Sequence, residues 1–333
     1  MSASKLFNFA TKLIPIWFII WLVYSTFRYP YYVGTFVAIG ISGGAIYALI
    51  AFGFGLIYNT TGMINLAHGE IFMMGAVISS FILVDQLKAT STTTQNWIWL
   101  LLMLLFSMVI GSLLSLLTEL LVFRRLRHAN KIAPLIASLG VALIIQNAGI
   151  KINGSGPKEF NSIVPEAPPF TSIIPAIERA LVVLALTIPI FILFTHLVTR
   201  SKNGLAIRAV SASYEVSELV GVNVNKTIAR TFLIAGATAG AAGLIYAQEY
   251  RISNYSLGMQ VGLIAYAAAI IGGISSVRGT IFGGFFVGIL EGLSNGVPSG
   301  LGFRWSETAI YAVFILMLVY RPQGILGDPP ENV

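Results

Sequence analysis

Apolar runs long enough to cross a lipid bilayer recur along most of the chain, and this pattern limits its fold more than any other feature. A transmembrane helix needs about 20 mostly apolar residues. Ten candidate runs lie at residues 13–27, 33–58, 71–87, 97–123, 132–150, 180–198, 228–247, 259–277, 280–296 and 307–320. Only 10% of all residues are charged, whereas a soluble domain carries about 25%. The sequence therefore predicts an all-α polytopic membrane protein with about ten transmembrane helices, some broken or irregular, above all the glycine-rich ninth.

The positions of lysine and arginine predict how these helices are oriented. With the N-terminus in the cytoplasm, the cytoplasmic segments hold 13 of the 20 lysines and arginines, and the outer segments hold 7. The densest cluster is the short loop RRLRHANK at 124–131, where the positive-inside rule is strongest. We therefore expect both termini inside (N-in and C-in). This clustering accounts for the net charge of +7 without nucleic-acid binding.

The chain, residues 1–333, is interpreted as a single transmembrane domain with three distinctive segments. The first run, about 13–27, is followed by RYPYY and not by a cleavage site of small residues, so we expect an extra N-terminal span and not a signal peptide. The outer segment, about 151–179, contains GSGPKEF and PEAPPF, and its prolines favour an extended cap. The third segment, about 199–227, is cytoplasmic in the predicted topology.

The cytoplasmic segment 199–227 contains no proline and predicts a short amphipathic helix at 208–219. The apolar residues close to helical spacing are Ile207, Val210, Tyr214 and Leu219. Val216 falls off that line, and Gly221 and Asn223 end the helix. A loop helix of this kind is commonly a solvated connector. Its length, in a chain whose other inner loops are short, favours a docking element for a partner protein.

Motifs for catalysis and for nucleotide binding are absent from the sequence. There is no G-x-x-x-x-G-K-[ST] loop for ATP phosphates, and there is no cysteine, which excludes disulfides, thiolate metal sites and cysteine nucleophiles. His68 and Glu70 form an H-x-E, but the P-C-x-x-C that accompanies it in zinc deaminases is missing. We expect no enzymatic activity and no cofactor in this chain.

The stretch GMINLAHGEIFMMGA, residues 62–76, places polar side chains inside apolar sequence. Gly62 and Gly69 bracket Asn65 and His68, Glu70 follows directly, and Asn65 is a good N-cap for the helix that begins there. Irregular backbone within a bilayer persists only where it is buried in protein or lines a water-filled cavity. A tight turn at the inner surface, a metal or proton site, and a transport path or gate between two half-helices stay open. We predict the path or gate, with no metal.

A second glycine-rich segment, GGISSVRGTIF at 272–282, lines up with GMINLAHGEIF at 62–72. Five of the eleven aligned positions are identical, and Arg278 falls opposite His68. An internal repeat would explain the likeness, although both copies run in the same direction in the predicted topology, which does not support an inverted repeat. The candidate site residues of this segment are Gly272, Gly273, Ser275, Arg278 and Gly279.

Several stretches together resemble the permease subunits of branched-chain and neutral amino-acid ABC importers, and specifically their H-type subunit. The similar stretches, in chain order, are GMINLAHGEIFMMGA, GLAIRAVSASYEVSELVGVNVNKTIARTFLIAGATAGAAGLIYA, AAIIGGISSVRGTIFGGFFVGILE and YRPQGILG. The resemblance covers about 33–327, and the N-terminal span and segment 151–179 depart from the shorter relatives. Related sugar permeases have analogous motifs, so the motifs fix the fold better than the substrate.

The resemblance implies half of the translocation path of an ATP-driven importer in a bacterial-type inner (plasma) membrane. It implies a second homologous permease subunit, two cytoplasmic ATPase subunits that bind ATP and Mg²⁺, and an external substrate-binding protein as partners. The family's coupling segment maps onto the cytoplasmic segment 199–227. Its candidate residues here are Arg208, Ser211, Tyr214, Glu215, Glu218, Leu219, Gly221 and Asn223.

Other transporter classes and several substrates stay open. An ion-coupled secondary transporter needs several acidic residues within the membrane, whereas Asp85, Glu119, Glu249 and Glu291 fall near predicted span ends, and only Glu70 could lie deep. A channel would need a ring-forming selectivity motif, which is not found. Branched-chain and other neutral amino acids, urea and short amides all stay open as substrates, because an external binding protein does most of the selection in such importers.

Overall fold

The computed structural model describes residues 24, 27–28, 30–86, 95–127, 129–130, 132–160, 175–296 and 303–327, and it is helical almost throughout these ranges. The helices are α1 (Pro30–Thr61), α2 (Ala67–Ser80), α3 (Gln95–Thr118), α4 (Arg124–Leu126), α5 (Ile132–Asn153), α6 (Pro175–Thr199), α7 (Lys202–Ala212), α8 (Tyr214–Leu219), α9 (Val224–Tyr250), α10 (Leu257–Gly272), α11 (Val277–Gly296) and α12 (Phe303–Tyr320). Two π-helical segments, Phe81–Gln86 and Glu119–Phe123, continue α2 and α3. The short strands β1 (Lys158–Glu159) and β2 (Ile252–Ser253) pair in antiparallel direction.

The apolar helices coincide with the predicted spans. Among the described residues, six helices are long and apolar enough to cross a membrane, and three more are apolar but shorter. Each of the nine predicted spans from residue 33 onward lies on one of these helices. The predicted span 13–27 lies outside the described residues apart from Tyr24 and Phe27. The all-α membrane fold is thereby confirmed, while the number of crossings and their orientation stay predictions.

Helices α1 and α9 form the centre of the bundle. Both are largely buried in protein, and α1 packs along α11 in antiparallel direction, with Gly40 against Gly288 and Ala48 against Gly284. Small residues let helix backbones approach closely, which supplies much of the packing between helices in membranes. The outer helices α3, α5 and α6 instead expose large apolar side chains, such as Leu105 on α3, as lipid contact requires.

Three predicted helices differ from the observed ones. The predicted span 259–277 runs through a break, because α10 ends at Gly272 and Gly273 has a φ of 114°, a conformation open to glycine. The ninth span, expected to be irregular, is the regular helix α11. The single helix predicted at 208–219 is divided into α7 and α8. Ser213 between them is extended and caps α8, since its hydroxyl accepts from the Val216 N–H at 3.3 Å.

The outer segment 151–179 is described at its two ends. Helix α5 continues to Asn153, and α6 begins at Pro175, five residues earlier than the predicted span. The Phe160 N–H donates to the Arg251 carbonyl at 3.0 Å, and Asn153 Nδ2 donates to Ser253 Oγ at 3.2 Å. These bonds hold the start of the segment against the connection from α9 to α10. Residues 161–174, where most of the predicted extended cap falls, lie outside the described ranges.

Cysteine labelling tests the predicted orientation, because the chain has no cysteine of its own. Ser155 and Lys202 are exposed. Ser155 lies before α6 and Lys202 begins α7 just after it, and the 25 residues of α6 span about 37 Å. In intact cells, we expect Ser155→Cys to react with a membrane-impermeant maleimide from outside, and Lys202→Cys to react only after permeabilisation. The reverse pattern would show that the orientation is inverted, and equal reaction of both from outside would show that α6 does not cross.

Candidate functional site

The stretch 62–66 is a break between α1 and α2. Gly62 has a φ of 66°, which favours glycine, and its N–H donates to the Tyr58 carbonyl at 2.7 Å. Helix α1 therefore ends at this turn, and α2 begins at Ala67. Asn65 Oδ1 accepts from the Ala67 N–H at 3.1 Å, but the residue at the N-cap position is Leu66 and not the predicted Asn65. We call residues 62–66 the break.

His68, in the first turn of α2, points back into the bundle. Its side chain is 0% exposed, its ring lies edge-on to Phe54 with centroids 4.7 Å apart, and a Cβ at Gly53 would collide with the imidazole. Gly53 precedes Thr61, the last residue of α1, by eight residues, which is about 12 Å along the helix axis. The imidazole therefore lies well inside the bundle, where the absent side chain of Gly53 leaves room for it.

Glu70 lies where the first turns of two helices meet. It belongs to the first turn of α2, and its carboxyl group borders Gly258 in the first turn of α10. Gly69 packs against the same residue and against Gly262. The N-terminal turns of α2 and α10 therefore converge on this carboxyl group. Helix N-termini carry a partial positive charge, and two such ends lie beside this carboxyl group.

Polar atoms without hydrogen-bond partners are concentrated in this part of the fold. Asn65, His68 and Glu70 are 1%, 0% and 3% exposed. Among the described residues, Asn65 Nδ2, both imidazole nitrogens of His68 and Glu70 Oε2 have no hydrogen bond of normal geometry, although the Ile50 backbone is close enough to form a weak hydrogen bond with the imidazole. Most buried polar groups are hydrogen-bonded. Such burial does not fit a turn at a protein surface, and these atoms are able to bind a polar ligand or water.

The second glycine-rich segment lies beside the break and not at the buried polar cluster. Asn59 Nδ2, in the last turn of α1, donates to the Ser275 carbonyl at 2.6 Å. Gly272 packs on Gly279 across the turn between α10 and α11. Gly273 contacts the C-terminal residues 323–327, and Arg278 is exposed, unlike the buried His68 with which it aligns. Asn59, which could be expected to cap the end of α1, instead joins that end to the second glycine-rich segment through a bond that the sequence did not predict.

The predicted site residues of the segment 199–227, which is cytoplasmic in the predicted topology, fall into two groups. Three of them hold the segment in place: Arg208 donates to the Val198 and Thr199 carbonyls at 2.8 and 2.9 Å, Tyr214 donates to the Thr60 carbonyl at 2.9 Å, and Asn223 caps α9. The residues that face outward are Ser211, Glu215, Glu218, Leu219 and Gly221. Leu219 is 86% exposed.

The exposed part of α8 therefore forms one surface with two acidic and several apolar groups. Val216 and Val220 are also more than half exposed and flank Leu219. An apolar surface of this kind is typical of an interaction site. We call Glu215, Val216, Glu218, Leu219 and Val220 the α8 face.

Other polar contacts within the bundle were not predicted. The Tyr47 hydroxyl donates to Glu291 at 2.6 Å, and the Ser42 hydroxyl donates to Glu249 at 3.0 Å. Tyr47 lies near the middle of α1. Glu291 lies near the end of α11, as expected, and its carboxylate reaches Tyr47 on the neighbouring helix α1. The linear sequence contains no local signal for these contacts, since their partners are more than 200 residues apart.

Comparison with known proteins places this architecture in a family. The family model described as "Branched-chain amino acid transport system / permease component" matches residues 36–319. The chain is 31% identical to the high-affinity branched-chain amino acid transport system permease protein BraD of Pseudomonas aeruginosa, over 87% of this chain and 94% of the relative. It is 32% identical to the corresponding permease protein LivH of Escherichia coli K12, with the same coverage of both chains. A probable LivH of Methanocaldococcus jannaschii is 27% identical over 86% of this chain and 91% of the relative.

No solved structure matches the chain. The family match and both relatives above 30% identity extend over most of the chain, and the family model matches from near the start of α1 to the end of α12. The chain belongs to the family of permease components of branched-chain amino acid transport systems.

Proposed function

We propose that this chain is the membrane-spanning permease subunit of an ATP-driven importer of branched-chain amino acids and forms half of the translocation path. The observation that carries this proposal is the likeness to branched-chain amino acid permeases over 94% of their length. The chain itself has no phosphate-binding loop. ATP and Mg²⁺ are therefore bound by separate ATPase subunits, and this chain performs no covalent chemistry.

The buried polar cluster Asn65, His68 and Glu70 is the proposed gate of the path. Its support is the set of unpartnered polar atoms on Asn65, His68 and Glu70, together with the convergence of the first turns of α2 and α10 at Glu70. A zwitterionic amino acid carries a carboxylate and an ammonium group. Helix N-termini interact favourably with the carboxylate, and acceptor oxygens such as Glu70 Oε2 interact favourably with the ammonium group. The flanking glycines Gly62 and Gly69 provide the turn and the close helix contact.

The α8 face is the proposed docking surface for a cytoplasmic ATPase subunit. Its support is the exposure of Leu219 and its two valine neighbours in a segment that is otherwise held to the bundle by Arg208 and Tyr214. ATP binding would close two ATPase subunits and move the docked α8 helices, so that the path opens alternately to each side. A second permease subunit, an external substrate-binding protein and a bacterial-type inner membrane complete the proposed assembly.

The relatives favour amino acids over the alternative substrates. Both bacterial relatives named above are described as branched-chain amino acid permeases, and this supports branched-chain amino acids over urea or short amides. The family match also supports the ATP-driven class over an ion-coupled secondary transporter.

A transport assay with the reconstituted complex tests this function. Uptake of labelled leucine into proteoliposomes is expected to require ATP and the binding protein, and to fall when excess isoleucine or valine is added. Excess urea or acetamide is the matched competitor that should leave uptake unchanged. Uptake that persists without ATP and stops when ion gradients are collapsed would show a secondary transporter, and competition by urea alone would show the short-amide importer.

A further inference from the structure

The break and the α8 helix share a small apolar core that is separate from the main core of the bundle. Its buried members are Ile57, Met63, Phe123, Val210, Val224, Ile228, Phe232 and Ala235. Met63 comes from the break, Val210 from α7 and Ile57 from the last turns of α1, and Tyr214 packs against the cluster from α8. We call this cluster the junction core. Because packed cores transmit displacement and do not deform freely, a movement of α8 acts on the break through it.

One directional bond connects the same two parts. The Tyr214 hydroxyl donates to the Thr60 carbonyl at 2.9 Å, across 154 positions of sequence. Thr60 is the penultimate residue of α1, and the last four carbonyls of a helix have no donor within the helix. The Thr60 residue is 1% exposed, so water has little access to its carbonyl. Tyr214 therefore satisfies an acceptor that would otherwise be buried and unpaired.

The Tyr214 side chain is suited to this role in two ways. Burial raises the pKa of its hydroxyl above the ordinary value, and the positive charge of Arg127 offsets part of this rise, so the hydroxyl is protonated at neutral pH and can donate. Tyr214 is also the first residue of α8, directly after the cap at Ser213. A rotation of α8 therefore displaces this ring together with the α8 face.

We propose that Tyr214 is the positioning residue that transmits the movement of α8 to the gate. The proposal rests on the proposed function and specifies how docking is coupled to the path. When an ATPase moves the α8 face, the hydroxyl of Tyr214 pulls on the Thr60 carbonyl. Only Thr61 separates Thr60 from Gly62, so the pull acts on the turn of the break and, through Asn65, on the first turn of α2 with His68.

Tyr214→Phe tests the proposal, because it removes the hydroxyl and keeps the ring in the junction core. In the complete reconstituted transporter, ATP hydrolysis should remain stimulated by substrate, since the α8 face is unchanged. The amount of leucine transported per ATP hydrolysed should fall about fivefold, the factor expected for the loss of one hydrogen bond. Thr118→Val is the matched control, because its hydroxyl donates at 2.8 Å to a carbonyl of its own helix, and it should retain full coupling.

A second readout follows the break directly. Met63→Cys gives a single thiol in the cysteine-free chain, at a residue that is 8% exposed. Its maleimide labelling rate in the complete transporter should change when a non-hydrolysable ATP analogue is added, and this change should disappear in the Tyr214→Phe background.

The outcomes separate this proposal from the proposed function. If the unaltered transporter takes up no leucine, the proposed function fails. If it does, and Tyr214→Phe transports as much leucine per ATP and shows the same labelling change, the transmission role of Tyr214 is wrong while the function stands. Loss of ATPase stimulation in Tyr214→Phe would also overturn the transmission role, because it would place Tyr214 in docking.

Discussion

The double variant Glu218→Arg/Leu219→Arg is expected to reduce substrate-stimulated ATP hydrolysis at least tenfold, to about the basal rate of the ATPase subunits. The reason is that residues that anchor an interface each contribute about 2 kcal/mol or more to binding. Leu219 is the most exposed large apolar side chain of the α8 face, and Glu218 supplies an adjacent acidic group. Two arginines would place unpaired positive charge in the interface. The measurement is ATP hydrolysis by the reconstituted complex with and without the loaded binding protein.

The permease itself should remain folded in this variant, since surface substitutions usually change stability by about 0.5 kcal/mol or less. Leu326→Arg is the matched control, because it changes an exposed leucine outside the cytoplasmic segment 199–227. Gly221 is a poor position for such a test. Its φ of 84° means that any side chain there would strain the backbone as well as block docking. Normal stimulation by the double variant, together with normal complex assembly, would remove the α8 face from the docking surface.

The positions of the helices could be predicted because the signal for them is local. Runs of apolar residues are set by the thickness of the bilayer, so nine predicted spans fall on apolar helices without any knowledge of their packing. The break was predictable for a similar reason, since Gly62 and Asn65 have specific backbone and capping preferences. The sequence also contained a sign of the division between α7 and α8. Val216 fell off the helical line, and in the structure it lies in α8, after the extended Ser213.

The environment of each polar residue could not be predicted in the same way. The imidazole of His68 is buried because Gly53 leaves space for it, and Glu70 is buried because α10 begins beside it. Both contacts depend on how helices far apart in sequence pack together. The same holds for the bond between Tyr214 and Thr60, which joins α8 to the end of α1. Patterns of residue type therefore identified the residues of the candidate gate. The depth of these residues in the bundle and their connection to α8 depend on tertiary packing, so only the structure showed them.

His68→Leu is expected to stop leucine uptake while the amount of assembled complex stays the same. The imidazole makes no normal hydrogen bond to any residue that the structure describes, and replacing an unpaired buried polar group by an apolar one is commonly neutral or stabilising. Folding should therefore be unaffected, and a loss of transport would report on the path itself. The measurement is ATP-dependent uptake per assembled complex. Met73→Leu is the matched control, because Met73 is also fully buried on α2 and a volume-conserving apolar exchange is well tolerated.

Substitutions at Asn65 and Glu70 separate gating from structure more finely. Asn65→Leu removes the Oδ1 acceptor of the Ala67 N–H and should cost about 1 kcal/mol of stability, whereas Asn65→Asp keeps that acceptor and replaces only the unpartnered Nδ2. If the Nδ2 group contacts substrate or closes the gate, both variants lose uptake, although only the first loses stability.

Glu70→Gln removes the charge beside the first turn of α10 and keeps the shape. Loss of uptake with normal assembly would show that the charge is needed in transport. If His68→Leu, Asn65→Asp and Glu70→Gln all take up leucine at the unaltered rate per assembled complex, the cluster serves only to join α2 to α1 and α10, and the path must pass elsewhere in the bundle.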